Sequence, residues 1–211
     1  DQRMKKLAAL LASLCVMAAC SDDPAPLPNY QQTLADLPTD PTGCASQLIL
    51  DNGTCLTLTQ TVNGLKADTL YRVMALMVQE GPTAQLRNYS QLLAPPVVEY
   101  RDSKLTTDAV SVVACWQTVR YINLQLSFMG TAQGTHLFGF HRRGLVENAD
   151  GSQTLHVLLL HNRNSDPAHY TRQTFLSLPL LPLQDELRSG TDSLHLTIGT
   201  PDGERIYRFG L

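Results

Sequence analysis

Beyond position 43 the apolar residues recur with the two-residue period of β-strands, and no stretch sustains a helical repeat. Ile122, Leu124, Leu126 and Phe128 alternate with Asn123, Gln125 and Ser127, the pattern of a strand buried on one face. A chain so patterned buries its apolar faces only by stacking or closing sheets, so it reads as all-β. Hydrophobic residues make up 43% of it, enough for real cores. In the first half, Asp51-Asn52-Gly53-Thr54 separates β-forming runs at 47–50 and 55–60. Asn-Gly between such runs predicts a two-residue turn, pairing Asp51 with Thr54 and Leu50 with Cys55. Runs at 70–79 and 84–92 flank Gly81-Pro82. Four strands at this density of turns predict a small OB-like barrel over residues 43–96, ended by Ala94-Pro95-Pro96.

The second half predicts seven longer strands at 109–116, 120–129, 134–142, 154–162, 170–178, 193–199 and 205–209. Asp150-Gly151, Asn164-Ser165-Asp166-Pro167 and Pro201-Asp202-Gly203 supply turns between them. The expectation is a seven-stranded Ig-like β-sandwich over residues 104–211. Pro179 and Pro182 mark where a strand leaves its sheet, with a short helical turn expected at 184–188.

Residues 1–19 read as a secretory address. Arg3, Lys5 and Lys6 precede an uncharged run of 13 residues, Leu7 to Ala19, with Met4 as the expected start. A run of that length falls short of the about 20 residues that span a bilayer. Met17, Ala18 and Ala19 ahead of Cys20 resemble a lipobox. There the thiol takes a diacylglycerol thioether and the freed amino group an acyl chain, which anchors firmly where one chain would be marginal. Ser21, Asp22 and Asp23 resemble the signal that carries lipoproteins of some Gram-negative bacteria to the outer face of the outer membrane; a periplasm-facing anchor with a solvated linker is the alternative. Loss of residues 1–19 removes three cations and one anion from 16 Lys+Arg and 19 Asp+Glu, leaving a net charge of −5. Residues 20–42 hold Pro24, Pro26, Pro28, Pro38 and Pro41 and read as an extended tether.

Several motifs share an order that resembles the NigD-like family of bacterial lipoproteins. They are Leu50-Asp51-Asn52-Gly53-Thr54, then Tyr71-Arg72-Val73, then Trp116 ahead of Tyr121-Ile122-Asn123-Leu124, then His136, Leu160-His161-Asn162, and Asp166 before Tyr170. The resemblance implies an N-terminal OB-type barrel and a C-terminal β-sandwich, no established enzymatic activity, and a role suggested in bacteriocin immunity.

Residue chemistry points the same way. The six His residues all follow position 135, but His136 with His141 and His156 with His161 are spaced five apart, so a regular strand sends each pair to opposite faces. No metal site is expected, and His161-Asn162 is expected to satisfy backbone groups of the following turn. A nucleophile elbow and a phosphate-cradling Gly loop are both absent, so no catalytic residue and no cofactor are expected. Lys66, Arg72 and Arg87 with Tyr71 and Tyr89 are too thin a basic-aromatic groove for nucleic acid. The expected function is a non-catalytic binding or accessory lipoprotein, attached to the outer membrane through lipidated Cys20, with a glycan or protein partner at the cell surface. A structural subunit of a cell-envelope complex, a bacteriocin-immunity-type protein and, more remotely, a glycan-active enzyme are the alternatives. Cys44, Cys55 and Cys115 are expected as three reduced thiols, because hairpin register sets Cys44 and Cys55 far apart.

Overall fold

The computed structural model describes residues 28–101 and 105–211. The signal segment and Met17, Ala18, Ala19, Cys20, Ser21, Asp22 and Asp23 lie outside them. Five strands, β1 (Tyr30–Pro38), β2 (Ala45–Leu50), β3 (Cys55–Val62), β4 (Leu70–Glu80) and β5 (Thr83–Gln91), close a barrel in the order β1-β2-β3-β5-β4. That is a five-stranded Greek-key barrel of the OB kind. β1 corrects the tether expected at 20–42. It pairs antiparallel with β4 along its whole length, from Tyr30 opposite Val78 to Pro38 opposite Leu70. Pro38 is tolerated because it stands at the strand's end.

The β2–β3 hairpin corrects the expected register by one residue. Ile49, not Leu50, lies opposite Cys55. Gly53 donates its N–H to Leu50 O at 2.9 Å, and Thr54 donates its N–H to Asn52 Oδ1 at 2.9 Å. Gly53 has φ +86°, so the connection is a three-residue loop, a type I turn closed by a left-handed glycine. Cys44 precedes Ile49 by five residues, roughly 17 Å of strand from the position opposite Cys55. Cys44, Cys55 and Cys115 are free thiols. Burial pushes the Cys115 thiol up to about 12.

The remaining strands stack as two sheets. A five-stranded sheet runs β13 (Gly203–Gly210), β12 (Ser193–Thr200), β10 (Gln153–Asn162), β9 (Leu137–Glu147), β6 (Val97–Val98). A three-stranded sheet runs β11 (Tyr170–Pro179), β8 (Tyr121–Gly130), β7 (Ser111–Gln117). The described residues thus hold eight sandwich strands where seven were expected, because β6 falls in the stretch read as a boundary. The sandwich therefore begins before residue 104. A 3₁₀ turn at Leu181–Leu183 leads into the helical turn expected at 184–188, where Leu187 donates its N–H to Leu183 O at 2.9 Å. Ile122, Leu124, Leu126 and Phe128 enter the core with Leu155, Val157 and Leu159, as alternation requires.

Candidate functional site at the domain junction

Alternation also decides what meets between the domains. Ala35 and Leu37 fill the barrel, so Leu34 and Asp36 face outward, opposite Met74 and Arg72 on β4. Ile122 and Leu124 fill the sandwich, so Asn123 faces outward between Ser177 on β11 and Trp116 on β7. The two outward faces abut. Asp36, Arg72, Asn123 and Ser177 are all at most 3% exposed, although all four stand on the side of their strands that faces away from the core.

Arg72 is the centre. Its guanidinium grips Asp51 with both forks, Nη1 to Oδ1 at 2.5 Å and Nη2 to Oδ2 at 2.9 Å. Nη1 also donates to Asp36 Oδ1 at 3.3 Å, Nη2 to Asn123 Oδ1 at 2.9 Å, and Nε to Ser177 Oγ at 3.1 Å. All five N–H groups are thereby used. The Tyr121 ring lies under the guanidinium, 3.9 Å from its centroid. Across the junction, Tyr121 donates its hydroxyl to Asp36 Oδ1 at 2.9 Å, and Arg120 Nε donates to Asp36 Oδ2 at 2.9 Å. Asn123 Nδ2 donates to Asp51 Oδ2 at 2.8 Å. Two carboxylates and two guanidiniums cancel in charge. Burial, then the Asp36 charge, pushes the Tyr121 phenol up, so it stays a donor. The three-residue hairpin loop is what presents Asp51 to this network.

Beside the network opens a cleft of 470 Å³, lined by Gln32, Thr33, Leu34, Asp51 and Met74 from the barrel and Trp116, Thr118 and Phe175 from the sandwich. Ligand sites favour such inter-domain clefts of about 300–1,000 Å³. Trp116 is the only tryptophan of the chain.

A second polar constellation lies at the far end of the sandwich. His136 Nδ1 stands 2.8 Å from His161 Nε2, and His136 Nε2 stands 3.0 Å from Asp166 Oδ2. His161 Nδ1 lies 2.8 Å from the Asp108 carbonyl and so must donate to it, leaving Nε2 to accept from His136. Thr131 N and Oγ1 donate to Asp166 at 2.8 and 2.6 Å. These bonds, with His136 beside them, hold the Asp166 carboxyl down at about 2. Gly134 fits here because a Cβ on it would sit 1.9 Å from Asp166 Oδ2. The chain is sealed: Asp166 is 7% and His161 2% exposed. His161 therefore serves the Asp108 backbone rather than the following turn; Asn162 does bond that turn, accepting from Asn164 N at 2.8 Å. His156 meets His195 across the parallel β10–β12 register, their rings 5.2 Å apart. Among the described residues no three His, Cys, Asp or Glu side chains come together as metal ligands would.

Residue-by-residue reading found neither constellation, because the partners are separated by up to 105 positions. The motifs carrying the family resemblance did contain Asp51, Arg72, Tyr121, Asn123, His136, His161 and Asp166. Asp36, Arg120 and Ser177 carried no signal.

Fold and site together define a two-domain all-β protein, a barrel locked to a sandwich by a buried ion network. The family model described as NigD-like C-terminal beta sandwich domain matches residues 94–211, more than half the chain, and the chain belongs to the NigD-like family. No curated protein matches the chain in sequence. Among solved structures, a NigD-like immunity protein from Bacteroides caccae is similar with a TM-score of 0.63 and 24% identity, over 85% of this chain and 92% of that one. A protein of unknown function from Bacteroides vulgatus aligns with a TM-score of 0.66 and 17% identity, over 86% and 90%. A candidate lipoprotein from Bacteroides fragilis aligns with a TM-score of 0.57 and 14% identity, over 86% and 97%. These likenesses extend the shared fold to the barrel.

Proposed function

We propose that this chain is a lipid-anchored, surface-exposed protein of a Gram-negative outer membrane that binds a partner in the cleft between its domains and catalyses nothing. One observation carries the binding role. Every ionised group at the junction is consumed in pairing, so the junction is a rigid frame, and what it frames is an inter-domain cleft with an indole in its wall. No side chain there is left as a nucleophile or general base. Cys20 supplies the anchor and Ser21, Asp22 and Asp23 the export signal; the similarity to a candidate lipoprotein supports this reading. Cys20→Ala abolishes incorporation of labelled palmitate and releases the protein from membranes. A variant that still takes up label, or still sediments with membrane after a carbonate wash, overturns the anchor. A second reading, immunity, is favoured by the similarity to the Bacteroides caccae protein. It predicts that expression protects a sensitive cell from a bacteriocin.

A further inference from the structure

The lining of the cleft specifies the chemistry of what it holds. Beside the cleft lies a hollow of 190 Å³ that shares Gln32 and Met74 with it and adds Leu76, Asn88, Tyr89 and Ser90. The two make one groove along the outer face of β1 and β4. Asp51 is the only acid or base with a charge at neutral pH in either lining. Three donors already occupy its carboxylate, two from Arg72 and one from Asn123. One lone pair of Oδ1 is left as an acceptor, without net charge. The groove thus offers nothing to a phosphate, sulfate or carboxylate.

Its barrel wall also offers little to a peptide backbone, while its sandwich wall carries Trp116 and Phe175 on β7 and β11, the two outer strands of the three-stranded sheet. β1 is paired on both sides, by β2 and β4, and β4 by β1 and β5. The barrel wall of the groove therefore exposes sheet faces and no free strand edge, so strand addition has no template there. What remains is flat apolar surface from half-buried Trp116 and Phe175, flanked by the exposed polar groups of Gln32, Asn88 and Ser90. A pyranose ring complements such a wall. Its C–H face is apolar and slightly positive and stacks on the negative face of an aromatic ring, while its equatorial hydroxyls reach amides and hydroxyls at the rim.

We infer that this groove binds a short neutral oligosaccharide, stacked on Trp116 and Phe175 and hydrogen-bonded by Gln32 and the free lone pair of Asp51. The inference rests on the reading of the cleft as a binding site and names its ligand class. The lone Trp116 is a built-in reporter. The purified full chain is titrated with maltohexaose, cellohexaose, xylohexaose and mannohexaose, and with a heparin hexasaccharide and a tryptic digest of casein as controls. At least one neutral hexaose is expected to shift Trp116 emission saturably. Phe175→Ala and Gln32→Ala, each with an unchanged far-UV spectrum, weaken that binding about tenfold. The inference is overturned if no neutral hexaose shifts the emission, if the sulfated sugar or the peptides bind instead, or if both variants bind as tightly as the parent chain. A saturable shift with the sulfated sugar or the peptides alone, lost in Phe175→Ala, keeps the cleft as a binding site and sinks this assignment alone, whereas no shift with any probe sinks both.

Discussion

Arg72 and Asp166 show how single buried charges are made tolerable here. Each is surrounded by complementary groups on three sides, and among the described residues no buried side-chain nitrogen or oxygen lacks a partner. Asp166 gives this a measurable consequence. Its two oxygens accept from Thr131 N, Thr131 Oγ1 and His136 Nε2, so an amide in its place keeps the shape but removes the negative charge that these donors face. The folded-state value near 2 lies below the ordinary 3.8. Asp166 therefore contributes stability in full above about pH 4, and that contribution is lost as pH falls through 2. Asp166→Asn should unfold at lower urea than the parent chain at pH 6, and the two midpoints should converge as pH approaches 2. A gap that persists unchanged down to pH 2 would remove the carboxylate from this role.

At the scale of elements, β1 is the strand that the sequence conceals and the fold most needs. Four consecutive residues, Leu34, Ala35, Asp36 and Leu37, are buried because one face meets the barrel core and the other meets the sandwich. A strand covered on both sides loses the alternation that betrays the half-buried strands, and prolines on either flank disguise it as tether. Leu37 is fully buried. Leu37→Ala should cost about 2–5 kcal/mol in urea unfolding, whereas a residue in a tether would cost nothing. β8 shows the opposite case. Its alternation is plain, and its core face was legible in full, yet Asn123 on its polar face is equally buried, because a second domain covers it. The hairpin at Asn52-Gly53 was legible as a turn but not as a length. One extra loop residue moves the register and turns Asp51 toward Arg72. Strands and turns are local and can be read along the chain, whereas the junction joins seven side chains from five separate stretches, a match that only the closed fold creates.

For the molecule as a whole, the two domains are unequal. The barrel core consists of ten residues, four of them alanine, while the sandwich core has seventeen and no alanine. A barrel of this size buries too little apolar surface to be more than marginal by itself. The junction is therefore part of its stability, and barrel and sandwich should unfold as one unit. Trp116 stands in the cleft between them and reports separation, while far-UV circular dichroism reports strand content across both. In the parent chain the two signals should trace a single coincident urea transition. Arg72→Ala leaves Asp36 and Asp51 buried with their chief partner gone, a cost of about 3–5 kcal/mol, and that cost falls on the barrel and the interface rather than on the sandwich core. The Trp116 transition should then move to lower urea and separate from the later loss of sandwich strands. Coincident curves with an unshifted midpoint in Arg72→Ala would mean that apolar contact, and not the ion network, holds the barrel in place.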